Sequence, residues 1–408
     1  MTAPETAATE YPFAPVVPED AFARFHAIAA DRPMSKLTMP FGGDAWVIHR
    51  NAAARAMLSD SRFVRGPFRT GERVTPYFVE FPDFLRTTLQ FEDPPHHTKL
   101  RKLVQRSISP KRVKAMRDSA AEFANQLIDE MVAKGAPTNL VHDYAVALPI
   151  QMLANLLGVP PEDREKFQKW SSSTLAVANM PEDEVVANMT ELVVYMMALI
   201  EERRKNPRED LLSDLANARD KDESLTDAEI LPIALVLIIG GFDNTANFLC
   251  AGVLSLLRNP DQLELFLRDP DGMAPTAVEE ILRHGRMALG DRIAGGGGLV
   301  PFVAAEDVEL DGQLIAAGEA VLVDPGSVNH DGVALRDDEV FDITRRNNPH
   351  LTLSYGLHHC LGAPLARMEM QVGMAELFKR LPGLKLEGEA VVDMDNLTQA
   401  IVDLPVSW

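Results

Sequence analysis

A cysteine that precedes a predicted helix has the surroundings most favourable to chemistry. Cys360 lies in the segment LSYGLHHCLG, residues 353–362, and Pro364 follows in the first turn of the predicted helix. Backbone N–H groups at a helix start stabilise negative charge, so a thiolate is favoured there. Gly356 and Gly362 allow the backbone to approach a flat ligand closely. The pattern indicates a thiolate ligand or, taken in isolation, a small buried side chain beneath a turn.

Two further patterns place charged side chains at helical spacing. In LQFEDPPHHTKLR, residues 89–101, paired prolines lead into a helix on which His97 and Arg101 share one face. A histidine and an arginine together suit a carboxylate. Glu280 and Arg283 form an E-x-x-R pattern, whose spacing alone describes an ordinary ion pair on a helix. Neither pattern identifies a site by itself.

A polar notch interrupts the longest apolar stretch, residues 231–257. Asp243, Asn244 and Thr245 follow Gly240 and Gly241 there, although glycine within a helix costs up to about 1 kcal/mol. The notch marks a functional site or lets another helix pack closely against the glycines. Polar groups near the middle of a membrane span are expensive, so we predict a buried core helix.

These motifs resemble, in order and spacing, those of the cytochrome P450 superfamily. That family carries D-P-P-x-H-T-x-x-R, then [AG]-G-x-[DE]-T, then E-x-x-R, and finally the haem loop F-G-x-G-x-H-x-C-x-G. The resemblance extends from Leu89 to Arg380. It implies a mainly α fold with a small β portion, a long central helix beside the oxygen-binding groove, and a loop that carries the cysteine ligand.

The resemblance also implies a role for each matching residue. Those expected to contact haem b are Cys360 as axial iron ligand, His97, Arg101, His358, Gly356 and Gly362. Those expected to act in catalysis are Asp243 as proton relay, Asn244 and Thr245. Glu280 and Arg283 are expected to be structural. The expected substrate pocket comprises Leu237, Gly240, Gly241 and Ile401, within or beside the stretches 65–88, 237–243, 286–302 and 400–402.

Departures from the family pattern occur in the haem loop and at the notch. Leu353 and Ser354 replace the phenylalanine and the first glycine of the loop. Asn244 stands where the family has its catalytic threonine, and Thr245 comes one residue later. One residue rotates a side chain by about 100° around a helix, so Thr245 is not expected to substitute.

Another departure concerns a haem carboxylate. The segment PFVAAEDVEL, residues 301–310, resembles R-V-A-T-E-D-V-E-L, whose arginine bonds a propionate in the family. Phe302 occupies the arginine position. We expect this contact to be missing or to come from elsewhere, with Arg292 as one candidate.

The elements that position these residues are predicted mostly as helices. Residues 118–134 and 182–205 carry apolar side chains at helical spacing, and 277–284 is predicted as a short helix. After a glycine-rich connector, alternating segments predict strands at 308–310, 313–315 and 320–323. We expect one domain, residues 16–408, behind a flexible N-terminus, residues 1–15.

Composition restricts the partners and the compartment. The 408-residue chain has a formal net charge of −20, which argues against nucleic acid or an anionic membrane as partner. Two cysteines cannot form a disulfide framework, and the first residues lack a basic segment followed by an apolar one. We therefore expect a cytoplasmic protein, and we also expect it to be a monomer.

The predicted function is a monooxygenase that uses haem and O2 to hydroxylate, epoxidise or couple a hydrophobic or aromatic small molecule, in natural-product biosynthesis. Electrons would come from NAD(P)H through a separate ferredoxin or flavodoxin. We expect this partner to dock on Lys99–Arg117, which has eight Lys or Arg and no Asp or Glu. One alternative is a haem-binding sensor or carrier without turnover. The other is a non-haem metal site that would use His96, His97, His358, His359 and Cys360.

Overall fold

The described part of the chain is mostly helical, as predicted. It comprises residues 18–39, 43–70, 88–173, 181–220, 223–285, 300–393 and 400–408 of a computed structural model. The chain divides into a sheet unit, Met1–Asp93 with Leu282–Cys360, and a helical unit, Pro94–Ile281 with Leu361–Trp408. That residues 16–408 form one domain stays a prediction, and residues 1–15 lie outside the described residues.

The α-helices of the described residues, in chain order, are α1 (Pro18–Asp31), α2 (Asn51–Ser59), α3 (Gly66–Thr70), α4 (His96–Ser107), α5 (Pro110–Ala115), α6 (Arg117–Lys134), α7 (Ala147–Leu157), α8 (Arg164–Ser173), α9 (Glu182–Lys205), α10 (Leu211–Ala216), α11 (Asp227–Gly241), α12 (Asp243–Arg258), α13 (Pro260–Arg268), α14 (Pro270–His284), α15 (Pro325–Asn329) and α16 (Ala363–Arg380). The helix predicted at 182–205 has these bounds. The short helix predicted at 277–284 is wrong in extent, because α14 begins two turns earlier, where the Asp269 carboxylate accepts the Gly272 N–H at 3.0 Å.

The strands of the described residues are β1 (Met34–Thr38), β2 (Asp44–Ile48), β3 (Phe63–Val64), β4 (Thr138–Asn139), β5 (Arg219–Asp220), β6 (Glu223–Ser224), β7 (Phe302–Ala304), β8 (Val308–Leu310), β9 (Gln313–Ile315), β10 (Ala320–Val323), β11 (Lys385–Leu386), β12 (Val391–Val392), β13 (Ile401–Asp403) and β14 (Pro405–Ser407). The three strands predicted after the glycine-rich connector are β8, β9 and β10.

A five-stranded sheet organises the sheet unit, in the order β1-β2-β10-β7-β3. β10 pairs parallel with β2 and antiparallel with β7, and β7 pairs antiparallel with β3. α2 contributes Ala54 and Met57 to the core beneath this sheet, where they join Phe302 and Val321. Pairing on both sides therefore fixes the position of β7 in the sheet. This strand carries Phe302, which stands where the family has an arginine.

Close helix packing organises the helical unit. A Cβ on Gly252 of α12 would lie 2.8 Å from Ile281 Cδ1, and one on Gly373 of α16 would lie 2.9 Å from Leu148 Cδ2. The buried Tyr144 hydroxyl donates to the Gly373 carbonyl at 2.7 Å. These glycines let the helices approach, and so position α12 and its polar first turn.

The long apolar run is helical, as predicted, and a bend at the single residue Phe242 divides it into α11 and α12. α11 starts with a capping box formed by Thr226 and Glu229 and ends at Gly241, and α12 starts at Asp243 after one non-helical residue, Phe242. By length and composition the stretch Glu229–Arg258 could cross a membrane, and half of its apolar window is buried in the protein. The interruption falls at the polar notch.

Candidate functional site

The loop that ends at Cys360 is closed by backbone hydrogen bonds. The Ser354 N–H donates to the Leu351 carbonyl, and the Cys360 N–H donates to the Leu353 carbonyl, both at 2.8 Å. Between these bonds, Gly356–His358 forms a 3-10 turn. Cys360 is partly exposed. The loop is thus well defined, while its cysteine remains accessible to a ligand.

The two loop glycines serve different purposes. Gly356 has φ +65°, and a Cβ there would lie 2.2 Å from the Leu58 carbonyl oxygen at the end of α2. The positive φ and the close contact with Leu58 therefore require glycine at position 356. The reason expected from sequence was a different one, the close approach of a flat ligand. A Cβ on Gly362, the N-cap of α16, would meet no atom within 4 Å. Gly362 faces open space, which suits a ligand beside the cysteine.

Asn329 holds the segment that leads into this loop. Its Oδ1 accepts the Leu351 N–H at 2.8 Å, and its Nδ2 donates to the Thr352 hydroxyl at 2.8 Å. The Thr352 hydroxyl donates in turn to the Leu282 carbonyl at 2.6 Å, near the end of α14. Sequence reasoning missed Asn329 and Thr352, because no local pattern marks a contact between residues so far apart.

The E-x-x-R residues lie buried on α14. The Arg283 guanidinium donates to the carbonyls of Asp338 at 2.6 Å and Val340 at 2.9 Å. These acceptors are backbone atoms of the long loop that follows α15. Such contacts suit the structural role predicted for Arg283, while the role of Glu280 stays a prediction.

Arg65, which was placed from sequence only at the start of a predicted pocket stretch, lies beside Phe302. The Arg65 guanidinium carbon is 4.1 Å from the centroid of the Phe302 ring. Its two terminal nitrogens donate to the carbonyls of Gln90 and Val300, each at 3.0 Å. The Phe302 ring meets the His358 ring edge-on, with centroids 5.6 Å apart. Arg292, the candidate named from sequence, lies outside the described residues.

At the polar notch of the helical unit, Asn244 rather than Thr245 is accessible. Thr245 is only 6% exposed, and its hydroxyl donates to the Gly241 carbonyl at 3.1 Å within its own helix. Asn244 is exposed, and Asp243 is partly exposed. A Cβ on Gly240 would meet nothing within 4 Å, so close packing does not explain that glycine.

The predicted pocket residues of this unit lie on two elements. Leu237 and Gly241 are half-buried and Gly240 is exposed on α11, whereas Ile401 is buried at the start of β13. The Asn247 Oδ1 on α12 accepts the Ile401 N–H at 3.0 Å. Asn247, which was not predicted, thereby ties the Ile401 turn to the helix that carries Asp243 and Asn244.

The predicted haem contacts of α4 lie one turn apart. His97 is 1% exposed and Arg101 is half-buried. The neighbouring His96 points elsewhere, with Nε2 3.4 Å from the Glu229 carboxylate. Among the described residues no group of three His, Cys, Asp or Glu side chains could hold a metal ion. The non-haem metal hypothesis therefore finds no site there.

The basic stretch Lys99–Arg117 is only partly available to a partner. Arg112 pairs with Asp214, and the Arg117 guanidinium lies 3.4 Å from the Gln371 side-chain oxygen. The exposed cations of this stretch are Lys102, Arg106, Lys111 and Lys114. These four are the candidates for contact with a second protein.

The second cysteine is inert. Cys250 is buried on α12, and burial, together with the nearby negative charge of Asp243, raises the pKa of its thiol well above the ordinary value. A thiol in this state does not ionise at neutral pH and is a poor metal ligand. Cys360 is the remaining candidate.

Known proteins share these features. A sequence model described as cytochrome P450 matches residues 165–265 and 292–406. The chain is 36% identical over 411 residues to mycinamicin IV hydroxylase/epoxidase of Micromonospora griseorubida, covering 100% of both. It is 37% identical over 404 residues to nocardicin C N-oxygenase of Nocardia uniformis subsp. tsuyamanensis, covering 98% of both. A solved structure of the mixed-function P450 MycG matches with a TM-score of 0.87 and 35% identity, covering 98% of this chain and 100% of that one.

These relatives settle the class of protein. They are oxygenases with a shared fold, so the predictions of a mainly α fold and of a haem-dependent enzyme are confirmed. The alternatives, a carrier without turnover and a non-haem metal protein, are not supported. The chain belongs to the cytochrome P450 family and is a monooxygenase.

Proposed function

We propose that Cys360 is the axial thiolate ligand of a haem b. The observation that carries this proposal is an accessible cysteine at the end of a closed loop, directly before α16, with open space at Gly362. The start of α16 favours the ionised thiol, because its first N–H groups carry partial positive charge. The residues present therefore fit the group.

The haem carboxylates would be held by nitrogen donors. His358 of the sheet unit, together with His97 and Arg101 of the helical unit, are the residues that we assign to this role. When bound, the haem activates O2 for insertion of one oxygen atom into a substrate, and a thiolate ligand promotes O–O cleavage. The other steps depend on the side chains of the chain itself.

We assign proton delivery to Asp243 and Asn244. Both are accessible at the start of α12, whereas the Thr245 hydroxyl is bonded to Gly241. An amide has separate donor and acceptor atoms, so Asn244 can hold a water where a threonine hydroxyl would both donate and accept. Asp243 would then supply protons to that water. Thr245 shapes the turn rather than taking part in proton transfer.

The proposed substrate is a hydrophobic small molecule of natural-product biosynthesis. Mycinamicin IV and nocardicin C appear in the names of two relatives that match nearly full length. On this chain the pocket would include Leu237, Gly240 and Gly241 of α11 with Ile401. Gly240 leaves room that a larger residue would fill. The Asn247–Ile401 hydrogen bond would keep the Ile401 turn at a fixed distance from Asn244.

We propose that electrons from NAD(P)H arrive through an acidic ferredoxin or flavodoxin. The exposed cations of Lys99–Arg117 form a positive surface on a chain whose net charge is −20. Complementary charge steers association and raises the on-rate at low salt. We further propose that the protein acts as a cytoplasmic monomer with a single domain over residues 16–408.

The absorption spectrum of the reduced carbon-monoxide complex tests the ligand assignment. Only a thiolate-ligated haem produces the red-shifted Soret band of this family. Cys360→Ala is expected to abolish that band, and Cys250→Ala, the matched control, is expected to retain it. An unchanged band in the Cys360 variant would refute the proposed ligand.

A further inference from the structure

The pairing of β3 with β7 sets Arg65 opposite Phe302, the residue that stands where the family has an arginine. β3 and β7 pair antiparallel, with Phe63 opposite Ala304 and Val64 opposite Val303. Continued by one residue, this register sets Arg65 opposite Phe302. Residues directly opposite in an antiparallel ladder point to the same face of the sheet. An arginine at 65 and an arginine at 302 would therefore reach the same side of the unit.

Arg65 is built into this position. It is 4% exposed, and its guanidinium donates to two backbone carbonyls, those of Gln90 and Val300. Its backbone N–H donates to the Asp93 carboxylate at 2.9 Å. The two carbonyls are neutral acceptors that offset part of the cost of burying this charge, and an anion stabilises a buried guanidinium further.

Phe302 links Arg65 to the cysteine loop. The guanidinium lies 4.1 Å from the centroid of the ring, and the His358 ring meets Phe302 at 70° with centroids 5.6 Å apart. The face of an aromatic ring attracts a cation, and its edge suits a second ring. Phe302 therefore contacts the side chains of both Arg65 and His358, and His358 lies two residues before Cys360.

We propose that Arg65 supplies positive charge to a haem carboxylate from the strand opposite Phe302, and that Phe302 directs its guanidinium. A haem brings two carboxylates into the protein, and a planar guanidinium suits a carboxylate well. This inference rests on the proposed haem-thiolate function. It makes Arg65 a cofactor-binding residue and Phe302 a positioning residue.

Haem retention by the holoenzyme tests the proposal. Arg65→Met keeps an unbranched chain against Phe302 but removes the charge. Its rate of haem transfer to excess apomyoglobin is expected to rise about tenfold or more, because a charge-assisted hydrogen bond is lost. The midpoint potential is expected to fall, because the positive charge that stabilises the reduced haem is removed. Arg65→Lys is expected to lie closer to the parent in both measurements.

Arg164→Met is the matched control. The Arg164 guanidinium also lies over a ring, that of Phe123 at 5.3 Å, but in the helical unit. Its removal is expected to leave haem transfer and potential close to those of the parent. Equal transfer rates in the Arg65→Met and Arg164→Met variants would overturn the proposal. An Arg65→Lys variant that loses haem as fast as Arg65→Met would overturn it as well.

A double variant distinguishes two roles for Arg65. In one, Arg65 provides a positive charge to the haem carboxylate; in the other, it only holds the Gln90 and Val300 carbonyls in place by hydrogen bonds. If Arg65 replaces a charge from the opposite strand, Phe302→Arg added to Arg65→Met is expected to bring haem transfer back to within about threefold of the parent. A bracing role predicts no recovery, because residue 302 cannot restore those carbonyl contacts. A double variant no better than Arg65→Met contradicts the inference. If the parent itself lacks the thiolate carbon-monoxide band, the proposed function fails instead.

Discussion

Replacement of Ser354 by glycine is expected to stabilise the protein, because the loop holds a serine in a conformation that suits glycine. Ser354 has φ +60°, in the left-handed region. For a residue with a Cβ this region costs about 1–2 kcal/mol. Its hydroxyl is also buried, and among the described residues it has no hydrogen-bond partner. An unsatisfied buried hydroxyl costs about 1–3 kcal/mol.

Glycine offsets part of this gain through the unfolded chain, where its larger conformational freedom costs about 0.5–1 kcal/mol. The net increase in the free energy of unfolding for Ser354→Gly is therefore about 1–4 kcal/mol. Ser354→Ala removes the hydroxyl but keeps the positive φ. The difference between the two variants isolates the conformational cost.

Denaturant unfolding of the haem-bound protein, followed by far-UV circular dichroism and by the Soret band, measures these differences. Gly356→Ala is the opposite control, because its φ is +65° and its Cβ would meet the Leu58 carbonyl oxygen at 2.2 Å. That variant is expected to lose several kcal/mol, roughly the cost of strain and backbone displacement together. If Ser354→Gly is no more stable than Ser354→Ala, the argument from φ is refuted.

Three further predictions concern proton delivery, electron delivery and a buried acid. Asn244→Ala is expected to raise peroxide release per NAD(P)H consumed without loss of haem content or substrate binding, and unchanged coupling to product would remove Asn244 from oxygen activation. Reversal of the charges of Lys102, Arg106 and Lys111 is expected to slow reduction by an acidic ferredoxin at low salt and less at high salt, whereas reversal of Arg268, exposed on α13, leaves the rate unchanged. A charge reversal with no effect at low salt would contradict docking there. Burial raises the pKa of the Glu369 carboxyl on α16 well above its ordinary value. The unfolded chain releases this proton at lower pH than the folded one, so Glu369 lowers stability as pH rises above its ordinary pKa. The stability gain of Glu369→Gln over the parent should therefore be larger at pH 8 than at pH 5, and an equal gain at both would be the contrary result.

Local patterns in the sequence were sufficient to predict many of the elements, and the resemblance of the motifs to those of the cytochrome P450 family predicted the chemistry. The cysteine loop, the polar notch and the strands β8 to β10 are each read within about ten residues, because turn residues and side-chain alternation act over that distance. Helix α9 was predicted with its observed bounds for the same reason. The extent of α14 was not, since its first two turns contain Pro270, Gly272 and Pro275, which locally indicate a break.

Only the tertiary structure decided which side chains meet. Arg65 and Phe302 are neighbours because β3 pairs with β7, and the sequence between them contains no sign of that register. The same holds for Asn329, which reaches Leu351 and Thr352 from the end of α15. Sequence spacing suggested that Thr245 could not replace a threonine at 244. Its orientation follows from the helix start at Asp243, which buries its hydroxyl against the Gly241 carbonyl and leaves Asn244 exposed. Long-range pairing and burial are properties of the folded chain as a whole, so short motifs cannot encode them.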